Sequence, residues 1–138
     1  MSATLLAGIS RTTEPQTMLR RFLALDALVT GVNAAAYVAA SGPLGRFLGV
    51  DATILVELGV FLALFGAGVG FLASRPQPPQ LPVKLVVDAN LLWAVLSLAA
   101  LAFWFEPTTA GAVWIPLQAL TVAGFAVLQW TALRAVTA

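Results

Sequence analysis

Asp26, Thr30, Asn33 and Tyr37 follow one another at intervals of four, three and four residues within an otherwise apolar stretch. On a helix turning roughly 100° per residue, that spacing gathers a carboxyl, a hydroxyl, an amide and a phenol on one narrow face. Trp114, Gln118, Thr121, Phe125 and Gln129 repeat the pattern near the C-terminus, and Asn90, Trp93, Ser97 and Trp104 share a third face. Glu57 stands alone as the strongly polar group of a further apolar stretch. Polar side chains in apolar stretches are costly, so such groups turn toward protein or water, where they can glue helices, contact a ligand or relay a proton.

Glu57 has no basic residue near its expected depth except Arg46. A carboxyl placed so is the leading candidate for a proton relay or a ligand contact. Its expected neighbours are Asn33, Tyr37, Trp104, Trp114 and Gln118. Asn90, Trp93 and Asp26 complete the set of candidate residues. Asp26 and Asp88 are read as anchors near one membrane face, with Asp88 paired to Lys84 one helical turn away. Gly59, Ala63, Gly66 and Gly70 form a stripe at intervals of four, three and four. Such a stripe lets helix backbones approach closely, within a bundle or between two copies. By the helical period it lies roughly opposite Glu57.

Other chemistries are excluded by composition. The chain has neither Cys nor His. That removes disulfides, thiolate and zinc sites, iron–sulfur clusters, His-ligated haem and Ser-His-Asp catalysis. No metal site, no cofactor and no enzyme activity are expected. Asp88 and Asn90 are close in sequence but point roughly 200° apart on a helix, so they make no catalytic pair. The seven basic residues are scattered and the net charge is +1, which argues against nucleic acid as a partner.

The elements that must position these residues are membrane helices. Of 138 residues, 60% are hydrophobic and 9% charged, too few polar side chains to cover a water-soluble core. Four apolar runs, at about 18–40, 52–73, 83–105 and 110–133, are each long enough to cross a bilayer core of roughly 30 Å. The fold expected is all-α, a four-transmembrane-helix bundle formed by residues 14–138 and preceded by a flexible segment, 1–13. Thr13 to Gln16 read as a helix start, Asp51 as the cap of the second run, Pro82 as the first residue of the third, and Thr108 or Thr109 as the cap of the fourth. Ser41 to Gly45 reads as a break, and Arg75 to Pro82 as an extended, proline-stiffened linker. Arg20-Arg21 before an apolar run faintly suggests an export signal. That run is too long for one and contains Asp26 and Asn33.

Arg11, Arg20, Arg21, Arg75, Lys84 and Arg134 fall on one side of such a bundle and only Arg46 on the other. The positive-inside rule then places both termini in the cytoplasm and the protein in the inner (plasma) membrane. In span number and composition, along its whole length, the chain resembles the small four-span integral membrane proteins of high-GC bacteria. The function expected is a non-enzymatic membrane module. It binds a small apolar or amphipathic ligand, or partner helices, through inward polar and aromatic faces. The alternative is a proton-coupled transporter or small channel, dimeric, with Glu57 carrying the proton. Membrane lipid is a partner in either case, and a homo-oligomer or a larger membrane complex is compatible with both.

Overall fold

The computed structural model describes residues 2–137, with side chains from Pro15 onward. The expected flexibility of residues 1–13 falls outside the described side chains. Among the described residues there are five helices: α1 (Ser2–Ala39), α2 (Ser41–Leu48), α3 (Ala52–Ser74), α4 (Gln80–Phe103) and α5 (Thr109–Thr137). All but α2 contain a segment long and apolar enough to span a membrane: Pro15–Ala39, Ala52–Ser74, Gln80–Phe103 and Thr109–Thr137. The all-α four-span architecture expected from the sequence is therefore present.

The boundaries carry the corrections. Pro15 lies inside α1 and does not open it. The break after α1 is a single residue, Ala40, and α2 begins at once. Pro43 does not stop α2, because the first-turn amide it lacks has no partner within a helix. The extended linker is shorter than expected. Arg75 (φ −77°, ψ 138°) and Pro79 (φ −59°, ψ 140°) have polyproline geometry, and α4 starts at Gln80. Pro82 is thus the third helical residue of α4. Asp51 caps α3 as expected, its Oδ1 accepting from Thr53 N at 2.8 Å. Thr108 caps α5, its Oγ1 accepting from Gly111 N at 3.2 Å.

The four long helices run up and down. α1 packs along α3 and α5, and α5 along α4, while α3 and α4 barely touch although they are consecutive. At the end that carries the proline linker, Leu19, Leu23, Val69, Val83, Val86 and Leu133 form one apolar core layer. At the α2 end, Ala34, Tyr37, Leu48, Val50, Leu55 and Leu62 form a second. A wide ring of exposed Leu, Val and Phe surrounds the bundle, an apolar surface of the kind suited to lipid.

The glycine stripe divides. A Cβ on Gly59 would sit 2.7 Å from Val38 Cγ2 and 3.1 Å from the Ala34 carbonyl. One on Gly66 would meet Thr30, and one on Gly70 would meet Ala27. Gly59 therefore admits α1 against α3, while at Gly66 and Gly70 a Cβ would make only ordinary contacts at 3.4 and 3.6 Å. Ala63, the fourth member of the stripe, is exposed and does not join this contact.

Candidate functional site

Between the two apolar layers lies a polar layer centred on Asp26, which is 1% exposed. Asp26 sits 11 residues from Pro15 and 13 from Ala39, near the middle of its span. It is not the interfacial anchor expected: the span opens earlier than the apolar run, and the residue is turned into the bundle. Three donors from three helices converge on it. Thr30 Oγ1 of α1 donates to Asp26 Oδ1 at 3.0 Å. Asn90 Nδ2 of α4 and Gln129 Nε2 of α5 donate to Oδ2 at 2.8 and 2.7 Å. Asn90 Nδ2 also donates to Gln129 Oε1 at 3.1 Å, closing a ring of side chains. Among the described residues no arginine or lysine enters this ring.

Toward the α2 end a second group of polar side chains faces a cavity of about 310 Å³, lined by Asn33, Tyr37, Trp93, Trp114 and Gln118 among others. Trp114 Nε1 donates to the Tyr37 hydroxyl at 2.9 Å, joining α5 to α1. Trp93 Nε1 donates to Gln118 Oε1 at 2.8 Å, joining α4 to α5. The Gln118 amide then donates to the Ile115 carbonyl at 2.8 Å. The Asn33 amide donates to the Val29 carbonyl of its own helix at 2.9 Å. These side chains are satisfied, but their bonds run along the walls and leave the space between them open.

Two openings adjoin this cavity. A groove of about 530 Å³ lies between α1, α2 and α5 and shares Asn33, Tyr37 and Trp114 with it. A cleft of about 130 Å³ lies where α3 and α4 diverge and shares Thr30, Leu62 and Trp93. The stack of Phe61 on Trp93 bridges that cleft, with ring centroids 6.0 Å apart and planes 3° from parallel.

Most of the residues singled out in the sequence are thus brought together. Asn33, Tyr37, Trp93, Trp114 and Gln118 share the cavity, while Asp26 and Asn90 share the polar layer. Two are not. Glu57 is exposed on α3, away from the face that meets α1. Trp104, at the end of α4, is 75% exposed and lines none of these spaces. Among the described residues no ion pair joins Lys84 to Asp88, which is exposed. Thr30 and Gln129 lie on the seams read from the sequence but were not among the candidates. Their signal is the shared face with Asp26 on α1 and with Gln118 on α5. Comparison with known proteins finds no matching family model, curated protein or solved structure.

Proposed function

We propose that this small integral membrane protein is a non-enzymatic module that takes a small apolar or amphipathic molecule from the bilayer into its bundle. One observation carries the reading: eight polar or aromatic residues from α1, α4 and α5 wall a single cavity of about 310 Å³. That volume falls at the lower end of the roughly 300–1,000 Å³ typical of ligand sites. The walls combine apolar surface with a few fixed polar groups, the usual composition of such a site. Glu57 lies outside the cavity, so proton transport through it gains no support from this arrangement.

The test uses quenching of Trp93 and Trp114 by a brominated fatty alcohol in phosphatidylcholine nanodiscs. A saturable phase with one site per chain is expected. Val122→Phe, which places a ring in the cavity wall, is expected to weaken that phase roughly tenfold or more while the protein still melts cooperatively. Quenching that rises only in proportion to bromolipid content, unchanged in the variant, would mean simple lipid contact and no site.

We also infer that the linker end faces the cytoplasm. Arg20 bonds the Ala73 carbonyl at that end, and Arg75 and Arg134 lie over Phe71 and Trp130 there. Lys84 is in the first turns of α4, and among the described residues Arg46 alone occupies the opposite end. Basic residues near span ends are retained on the cytoplasmic side. The chain has no native cysteine, so single cysteines at positions 77 and 106 report sidedness directly. An impermeant maleimide added to intact cells is expected to label position 106 and spare 77. The reverse pattern would invert the topology.

A further inference from the structure

We propose that the cleft between α3 and α4 selects an amphiphile whose head group donates hydrogen bonds, with a primary alkylammonium as the fitting class. This rests on the ligand-binding reading above and adds the chemistry of the head group. Asn90 has one donor group and one acceptor, and Thr30 has one hydroxyl proton. Both protons of the Asn90 amide are directed inward, to Asp26 Oδ2 and Gln129 Oε1. The Thr30 proton is directed to Asp26 Oδ1. Asn90 and Thr30 also line the cleft. What they have left to offer a ligand there is acceptor capacity: the Asn90 Oδ1, which has no partner among the described residues, and the lone pairs of Thr30 Oγ1. Asp26 therefore acts as a positioning residue. Its carboxyl oxygens fix which way the Asn90 amide faces, because the alternative orientation would set oxygen against oxygen.

The rest of the cleft suits an ammonium with an alkyl tail. Its rim residues Phe61, Leu92 and Leu96 are 52%, 58% and 54% exposed, so it opens sideways toward the acyl chains. The stacked faces of Phe61 and Trp93 stand at that rim, and aromatic faces attract cations. At about 130 Å³ the cleft takes a head group and its first methylenes and leaves the tail among the lipids. A carboxylate or phosphate head would meet only acceptors, the arrangement that rejects anions.

The test compares dodecylammonium, dodecanol and dodecanoate with the full-length chain in phosphatidylcholine nanodiscs. Trp93 is the reporter, with Trp104, Trp114 and Trp130 replaced by Phe and protein-free nanodiscs correcting for partition. Saturable binding is expected in the order dodecylammonium, dodecanol, dodecanoate, with roughly tenfold or more between the first and last. Asp26→Asn replaces one of the two acceptor oxygens with a donor, which releases the Asn90 amide to turn and present its N–H groups to the cleft. Dodecylammonium should then weaken by roughly tenfold while dodecanoate strengthens. Equal binding of the three head groups would overturn the head-group assignment and leave the amphiphile reading intact. Absence of saturable binding by all three would overturn both. If Asp26→Asn does not fold, the order of the three head groups on the unaltered Asp26 protein still decides. An unchanged order in a folded Asp26→Asn would overturn the positioning role.

Discussion

Asp26→Ala is expected to lower the stability of the bundle by about 2–4 kcal/mol, the largest loss from truncating any polar side chain in the structure. The loss comes from the donors that are stranded. Gln129, wholly buried, loses the acceptor for its Nε2 at 2.7 Å. Asn90 loses one of two acceptors and keeps Gln129 Oε1. Thr30 loses least, because its hydroxyl can turn back to a carbonyl of its own helix. A buried donor left without a partner costs about 1–3 kcal/mol. Interhelical hydrogen bonds in membranes average only about 0.6 kcal/mol when both partners can find others, which sets the low end of the range. Asp26→Asn keeps an acceptor and should cost less than Asp26→Ala. Replacing Asp26, Asn90 and Gln129 together by Leu should cost less than Asp26→Ala alone, since no polar group then stays stranded. Unfolding by graded dodecyl sulfate in mixed micelles, followed by helical circular dichroism, gives the order. A triple variant weaker than the single one would show that the layer contributes favourable energy as a unit, contrary to this account.

That layer was partly legible in the sequence. The spacing of Asp26, Thr30, Asn33 and Tyr37 gives a face, and the face does point inward. Periodicity does not say which neighbour a face meets. The ring of Asp26, Asn90 and Gln129 joins residues 39 to 103 positions apart, and only the packing of α5 between α1 and α4 brings them to one depth. Glu57 shows a different limit. The glycine stripe and Glu57 were read as lying on opposite sides of α3, and only one of those sides can meet α1. The stripe meets it, because Gly59 leaves no room for a Cβ there, and so Glu57 is turned outward. Judged as an isolated carboxyl, Glu57 drew attention. Judged together with the face behind it, its exposure follows. α2 was hidden by its own composition, since Gly42, Pro43 and Gly45 each read as breakers. Pro43 needs no first-turn partner. Gly45 is required because a Cβ there would sit 2.6 Å from the Val50 carbonyl, which is a tertiary demand that local propensity does not express.

The α2 end holds the position where a single methyl group should do most harm. A Cβ on Gly111 would lie 1.9 Å from the Leu48 carbonyl oxygen and 2.8 Å from Pro107 Cβ. Neither neighbour can rotate away as a flexible side chain would. Leu48 O already accepts from Thr108 N at 3.2 Å, and the Thr108 hydroxyl donates to the Phe47 carbonyl. The chain after α2 is fixed as well. Gly49 takes a left-handed conformation (φ 73°), and its amide and that of Val50 both reach the Gly45 carbonyl at 2.8 and 3.0 Å. Gly111→Ala must therefore push α5 off the end of α2 and break the Thr108–Leu48 bond. The expected cost is about 3 kcal/mol, at the upper end of the range for overpacking. Gly124→Ala, on the same helix with nothing within 4 Å of its Cβ position, should instead be neutral or stabilising by up to about 1 kcal/mol through helix propensity. The two variants add the same atom to the same helix, so propensity cancels between them and the difference isolates the α2–α5 contact. That contact also bounds the groove lined by Asn33, Tyr37, Phe47, Leu48 and Trp114. Parting α5 from α2 should therefore strain the hydrogen bond from Trp114 to Tyr37 and change Trp114 emission before the bundle unfolds. Dodecyl sulfate titrations of both variants, read by helical signal and by Trp114 fluorescence, measure the cost and its location together. Equal midpoints for the two variants would show that α2 is not held against α5 in the way its backbone contacts indicate.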